Sequence, residues 1–385
     1  MKQKQRISII GSAGIPANYG GFETLTHNLS TNLDTEFDLT VYCSTKNYPR
    51  AVRMDKMGNT KLKYVPLSAN GLQSIPYDLI SIARATFHSD TLLILGVSGA
   101  ICLPFLRLFT KKNLIVHIDG LEWRRNKWGK MAKIFLKSME RIAVKNAHKV
   151  IADNEAIADY TIKEYGVKST IIEYGGDNAA QIPTLASKDT EGLEDLVKTD
   201  YYFSVARIEP ENNIHVLLEA FNESNKRLII VGNWKSSEYG RHLQSIYGAT
   251  KNIHLLDPIY DKVKLGFLRS NTKCYLHGHS AGGTNPSLVE AMHLGLPIVA
   301  FDVVFNRKTM ENKGHYFKDA KSLESLLKDL TPSDLFQMGI QMRKIALRRY
   351  TWEKIASKYS ALFLDKKKLK SQNLTSDLDS FKQAS

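Results

Sequence analysis

Short apolar runs alternate with helical patterns along nearly the whole chain, and the alternation happens twice. In the first round "RISIIG", "FDLTVYC", "KLKYVPL", "TLLILG", "NLIVHID", "KVIADN" and "STIIEYG" read as buried strands, with helical patterns over residues 24–33, 77–87 and 130–147. A polar, irregular segment follows at 177–199, and then the rhythm restarts. "YYFSVARI", "RLIIVGN", "NIHLLD", "CYLHGH" and "PIVAFD" are the second set of strands, with helices over 214–222, 263–268 and 287–294. Continuous apolar strands separated by helices give a mostly parallel sheet covered on both faces. The expectation is an α/β chain of two Rossmann-like doubly wound domains facing an interdomain cleft, where strand C-termini meet. The length of 385 residues suits two cores better than one. We place the first domain at 1–175 and the second at 176–348, then a C-terminal helix at 349–364 packing back on the first domain. A polar tail at 365–385 reads as disordered. Thr351 is the expected N-cap of the C-terminal helix.

The formal net charge is +14, which points to an anionic partner. Cys43, Cys102 and Cys274 are too few and too scattered for a disulfide framework or a zinc site, and a reducing cytosol fits them. The basic start "MKQKQR" precedes an apolar run too short for a signal peptide. The longest apolar stretch, 91–109, is interrupted by Gly96, Gly99, Pro104 and Arg107, so it reads as strand, turn and helix rather than a membrane span.

Four stretches carry the chemistry. "GSAGIPANYGGFE" joins the first strand to the first helix; Gly11 and Gly14 suit a tight strand exit, and Gly20 and Gly21 a helix start open to an anion. A plain strand–helix turn is the competing reading. As a dinucleotide fingerprint its spacing is imperfect, and the second strand ends in Cys43 and Ser44 rather than an acid, which counts against a nicotinamide enzyme. "HIDGLEWRRNKW" sets His117, Asp119 and Glu122 at a strand end, where open α/β sheets place their chemistry, although a strand-end histidine is often structural. From Arg124 to Lys149 nine basic residues face one acid, Glu140. Lys130, Lys133, Lys137 and Arg141 share one helix face, Met131, Phe135, Met139 and Ile142 another, and Trp123 and Trp128 flank the start. A solvated basic face over an ordinary core stripe accounts for this. So does docking on anionic lipid, where each cation contributes about 1 kcal/mol. No nucleic-acid module is present, so nucleic acid is not an expected partner. "HGHSAGGTNPSLVEAM" repeats the glycine loop before a helix, with His277, His279, Gly283, Thr284, Asn285, Pro286, Ser287 and Glu290. No ligand cluster accompanies the two histidines, so no metal or other cofactor is expected.

Together with "SVARIEPENNI", these stretches resemble the bacterial rhamnosyltransferases of retaining glycosyltransferase family 4, over residues 7–364. The resemblance implies the two-domain GT-B fold and transfer of L-rhamnose from dTDP-β-L-rhamnose to a polyprenyl-diphosphate-linked sugar. It implies a β-1,4 linkage, capsule or cell-wall polysaccharide synthesis, and a peripheral place on the anionic inner face of the cell membrane. Gly20 and Gly21 match the loop that approaches donor phosphate and sugar, Arg207 the arginine neutralising the diphosphate, and Glu290 the glutamate holding the ribose. Asn285, Pro286 and Ser287 match the helix start facing the diphosphate, and Asp119 with His117 the acceptor-side catalytic position. Glu122, Trp123, Arg124, Arg125, Trp128, Lys133, Lys137 and Arg141 form the acceptor and membrane side. Two departures stand out: Asn212 replaces a usual lysine and Gly282 a usual second glutamate, with Lys235 and His279 the respective candidates to substitute. A different nucleotide sugar, or a noncatalytic nucleotide- or glycan-binding protein on the same fold, is the alternative.

Overall fold

The computed structural model describes residues 4–17, 20–118, 120–125, 128–181 and 190–365. The first half contains β1 (Arg6–Ile10), α1 (Gly21–Leu33), β2 (Asp38–Ser44), β3 (Lys56–Met57), β4 (Thr60–Val65), α2 (Ser74–His88) and β5 (Thr91–Leu95). It continues with α3 (Leu103–Phe109), β6 (Asn113–Ile118), α4 (Lys130–Asn146), β7 (Lys149–Ala152), α5 (Glu155–Tyr165) and β8 (Thr170–Ile171). These strands form one sheet in the order β3-β4-β2-β1-β5-β6-β7-β8, parallel except for the β3–β4 pair.

The second half holds α6 (Glu194–Val197), β9 (Tyr201–Val205), α7 (Ile214–Asn222), β10 (Arg227–Val231), α8 (Glu238–Tyr247), β11 (Ile253–Leu256), α9 (Lys262–Ser270) and β12 (Cys274–His277). Then come α10 (Pro286–His293), β13 (Ile298–Phe301), α11 (Val304–Thr309), β14 (His315–Phe317) and α12 (Ala320–Asp329). Its sheet runs β11-β10-β9-β12-β13-β14, wholly parallel. The helices α13 (Pro332–Arg349) and α14 (Trp352–Leu364) close the described chain. This is the GT-B architecture of two Rossmann-like domains.

The topology explains where a ligand can go. The first half winds outward from β1 through β2 to β4, then reverses to β5; the second winds from β9 to β11 and reverses to β12. At each reversal the connections leave in opposite directions and open a crevice at the strand C-termini. The glycine loop after β1, the loop after β9 and the loop after β12 border these two switch points, and the turn after β6 starts one strand away. The stretches "GSAGIPANYGGFE", "SVARIEPENNI" and "HGHSAGGTNPSLVEAM" thus leave switch-point strands.

The last helix returns to the first domain. Thr351 caps α14 by accepting from the Lys354 amide, and Trp352 packs edge-on to Tyr174. Tyr359 hydrogen-bonds His117 Nδ1 at 2.8 Å, Ser360 donates to Glu36, and Lys149 donates to the Leu362 carbonyl. Arg349, at the end of α13, meets three carboxylates: Glu173 at 3.1 Å, Glu155 at 3.2 Å and Glu311 at 2.9 Å. Glu173 is buried and also binds Lys358.

Two expectations change. The stripe Met131–Phe135–Met139–Ile142 on α4 is only half core: Met139 is buried, but Met131 and Phe135 are exposed. The apolar run ending at residue 175 pairs as a strand only over Thr170–Ile171, because β8 is a sheet edge. The tail beyond residue 365 lies outside the described residues.

Arg349→Ala takes from buried Glu173 one of its two cationic partners, and one from each of Glu155 and Glu311, so it is expected to cost about 3 kcal/mol of unfolding free energy. Urea unfolding monitored by circular dichroism measures it; a loss below about 0.5 kcal/mol, the size of a surface change, contradicts the role.

Candidate functional site in the interdomain cleft

The cleft is built from the ends of strands. On the first domain, the loop after β1 reaches Gly20, whose φ of 120° suits glycine, and α1 starts at Gly21. A Cβ on Gly20 would lie 2.0 Å from Glu23 Oε2, and Glu23 in turn accepts from the Ala13 amide at 2.7 Å, so the loop is tied down by its own helix. A Cβ on Gly21 would stand 3.9 Å from Pro286 of the second domain. The two glycine-rich helix starts therefore face each other across the cleft.

His117, at the end of β6, is buried; Nδ1 bonds Tyr359 and the ring lies edge-on to Phe22 at 5.5 Å between centres. Nε2 is buried without a hydrogen-bond partner. Burial pushes the imidazole down to about 3, so it is neutral at neutral pH. Asp119 lies outside the described residues.

The turn after β6 is held by ion pairing. Glu122 meets Arg125 at 2.8 Å and accepts from Trp128 Nε1 at 3.0 Å. Arg124 stacks over Trp123 and Tyr160, and Lys137 sits over Trp123 while pairing with Glu164 at 2.8 Å. Arg125 also reaches across the domains: its Nη1 is 3.9 Å from Glu209 Oε2, while Arg207 Nη1 is 3.5 Å from Glu209 Oε1. One guanidinium from each domain thus converges on a single carboxylate. Both also act on His279, which burial first, then Arg207 and Arg125, push down to about 3.

In the second domain, Asn212 is buried and donates to the Arg207 carbonyl at 2.7 Å. It shapes the loop, and the next residue, Asn213, donates to the Gly278 carbonyl. Lys235 does not reach this place: its side chain is largely in solvent, 3.8 Å from Asp257. His277 and His279 stack face to face at 4.4 Å, and His277 is fully buried. Among the described residues no three His, Cys, Asp or Glu side chains gather in a metal-binding group.

The loop after β12 serves domain contact as well as helix entry. A Cβ on Gly120 would fall 2.0 Å from the Gly282 Cα, and one on Gly283 1.8 Å from Asp153 Oδ1. Backbone therefore meets backbone here, and Thr284 donates its hydroxyl proton to the Asp153 carbonyl. Gly282, at the usual glutamate position, has φ 123°, a backbone that side chains rarely adopt. Asn285 caps α10, accepting from the Ser287 amide at 3.1 Å and its hydroxyl at 2.8 Å, with Pro286 in the first turn. Glu290, one turn on, is held on both oxygens: Arg269 at 2.7 Å and Asn178 at 3.3 Å. Arg269, Asn178 and Glu209 escaped the sequence reading because only the fold brings them beside the motif residues. Arg125 was placed on the acceptor and membrane side; its reach to Glu209 puts it at the cleft as well.

Two family models match parts of the chain. The one described as "Domain of unknown function (DUF1972)" matches residues 4–177, and the one described as "Glycosyl transferases group 1" matches residues 186–331. The second half is thus similar to glycosyl transferases of group 1. No curated protein matches the chain in sequence. The two domains together resemble solved structures in fold. Sucrose-phosphate synthase from Thermosynechococcus elongatus superposes with a TM-score of 0.77 at 16% identity, covering 94% of this chain and 98% of its own. HepE from Anabaena, solved in complex with UDP-glucose, gives 0.69 at 14% identity over 94% and 99%. The catalytic domain of starch synthase IV from Arabidopsis thaliana, bound to ADP and acarbose, gives 0.67 at 11% over 94% and 98%.

His117, His277 and His279 all have folded values below the ordinary 6.5 because burial disfavours their charged form. The unfolded chain therefore binds more protons just below about pH 6.5, and stability present above that value is lost as pH falls through it. Each contributes a slope of up to about 1.4 kcal/mol per pH unit. Denaturant unfolding at about pH 7 and about pH 5 measures it, and equal stability contradicts the buried neutral state.

Proposed function

We propose that the chain is a retaining, metal-independent glycosyltransferase that moves L-rhamnose from dTDP-β-L-rhamnose to a polyprenyl-diphosphate-linked sugar. The observation that carries the reading is the convergence of Arg207 from the second domain and Arg125 from the first on Glu209, beside the switch points of two doubly wound sheets. Preorganised positive groups of this kind stabilise charge developing on a leaving diphosphate. The similarity to group 1 supports glycosyl transfer, and HepE with UDP-glucose supports a nucleotide-sugar donor on this fold. The choice of dTDP-rhamnose rests on the resemblance of the four motifs.

In this reading the bond between the sugar C1 and the diphosphate oxygen breaks as the acceptor hydroxyl forms its bond to C1 on the same face. The acceptor's proton passes to the departing phosphate. Arg207 takes the charge from the second domain and Arg125 from the first, which supplies the second cation that Asn212 does not. Glu290, oriented by Arg269, accepts hydrogen bonds from the ribose. His117 is neutral; in the tautomer whose Nδ1 accepts from Tyr359, Nε2 donates to a sugar hydroxyl at the reacting centre. Asp119 remains the acceptor-side candidate. The lipid-linked acceptor places the protein peripherally at the cytoplasmic face of an anionic membrane; no helix among the described residues is long and apolar enough to cross one.

Arg207→Ala is expected to lower turnover of dTDP-rhamnose about 100-fold or more, and Arg125→Ala at least about 10-fold. Near-normal turnover in either removes that arginine from the diphosphate site. Glu290→Ala weakens dTDP binding in calorimetry. Tight dTDP binding without transfer to any lipid-linked acceptor would favour a noncatalytic nucleotide-binding protein.

A further inference from the structure

Two adjacent helices of the first domain present large apolar side chains to solvent. On α3, Phe105, Leu108 and Phe109 are exposed, Leu108 to 79%, and the two phenylalanine rings lie 4.4 Å apart between centres. On α4, Met131 is 81% exposed and Ile134 63%, with Phe135 beside them. Ile101, in the turn entering α3, is exposed as well. Arg107 ties the helices together, donating from Nη1 to the carbonyls of Lys145 and Ala147 at 3.3 and 3.0 Å. Apolar side chains gathered on one face of a monomer mark a contact surface.

The charges say what covers it. Lys111, Lys130, Arg141 and Lys145 are exposed on the same two helices or the turn between α3 and β6. No acid on either helix faces solvent: α3 has none, and Glu140 of α4 is buried and accepts from Tyr160 and Tyr165. A second copy of the same face would set these cations against one another. An anionic bilayer meets both demands, phosphates for the cations and acyl chains for the apolar ridge.

We propose that the α3–α4 ridge inserts into the headgroup–acyl boundary of an anionic membrane, with Phe105, Leu108, Phe109, Met131 and Ile134 as its buried part. This rests on the membrane-facing reading above and replaces a purely basic α4 face by an apolar wedge with a basic rim. Because α3 and α4 follow β5 and β6, the connections that line the first domain's side of the cleft lead straight into the wedge. A lipid-linked acceptor would then reach the cleft from the surface on which the protein sits.

The test uses the full chain and vesicles of phosphatidylcholine with phosphatidylglycerol, against vesicles of phosphatidylcholine alone. The combined variant Phe105→Gln, Leu108→Gln and Met131→Gln keeps every cation and changes only exposed positions. It is expected to bind anionic vesicles at least about 10-fold more weakly than the unaltered chain. Equal binding overturns insertion. In a second variant, Phe109→Trp, added emission is expected to shift blue on anionic vesicles; emission unchanged with vesicles present overturns it too. So does a chain that dimerises through this face and ignores vesicles. No sugar nucleotide enters these assays, so docking and glycosyl transfer can fail separately.

Discussion

The domain junction depends on Arg349, which sits among Glu155 and Glu173 of the first domain and Glu311 of the second. A buried carboxylate such as Glu173 is costly unless a cation compensates it, so this cluster tolerates few alternative arrangements of the two sheets. Immediately after Arg349 the chain turns back, and α14 lies on the first domain through Tyr359, Ser360 and Phe363. The junction thus sets the distance between the two glycine-rich helix starts, and Tyr359 reaches His117 at the end of β6. A structural clamp and a candidate catalytic position share one helix.

That geometry makes the cleft cationic without making its histidines so. Arg125 and Arg207 converge on Glu209, while burial keeps His117, His277 and His279 neutral. Glu209 balances the two arginines, which keeps them from repelling one another. Gly120 meets the Gly282 backbone, and Gly283 the Asp153 carboxylate, so the domains come into close contact at the same place. Side chains at 282 and 283 would therefore strain the loop or hold the domains apart.

Much of the fold was legible because parallel strands buried on both faces read as continuous apolar runs, and those from β1 to β13 stood out wherever they were long enough. The two-residue strand β3 and the edge strand β14 carry too short a pattern to declare themselves, and β8 pairs over only two residues of the apolar run that announced it. Motif loops were legible because glycine after an apolar run is a strong local signal. Pairings across the fold were not: Arg269 meets Glu290 across 21 residues and Arg125 meets Glu209 across domains, and no local pattern announces either. Periodicity also misjudged α4, since a repeat of apolar residues shows a face but not what covers it. Met131 and Phe135 fit a core stripe in sequence and stand in solvent in the fold.

The central claim is that one ligand is gripped from both domains at the paired switch points. Hydrogen–deuterium exchange with and without dTDP tests it most directly. The account predicts slowed exchange in the loop of Arg207 to Asn213 and at the start of α10, together with the first-domain segments around Gly20–Gly21 and Arg125. Protection confined to one domain, or lying away from these segments, would contradict it.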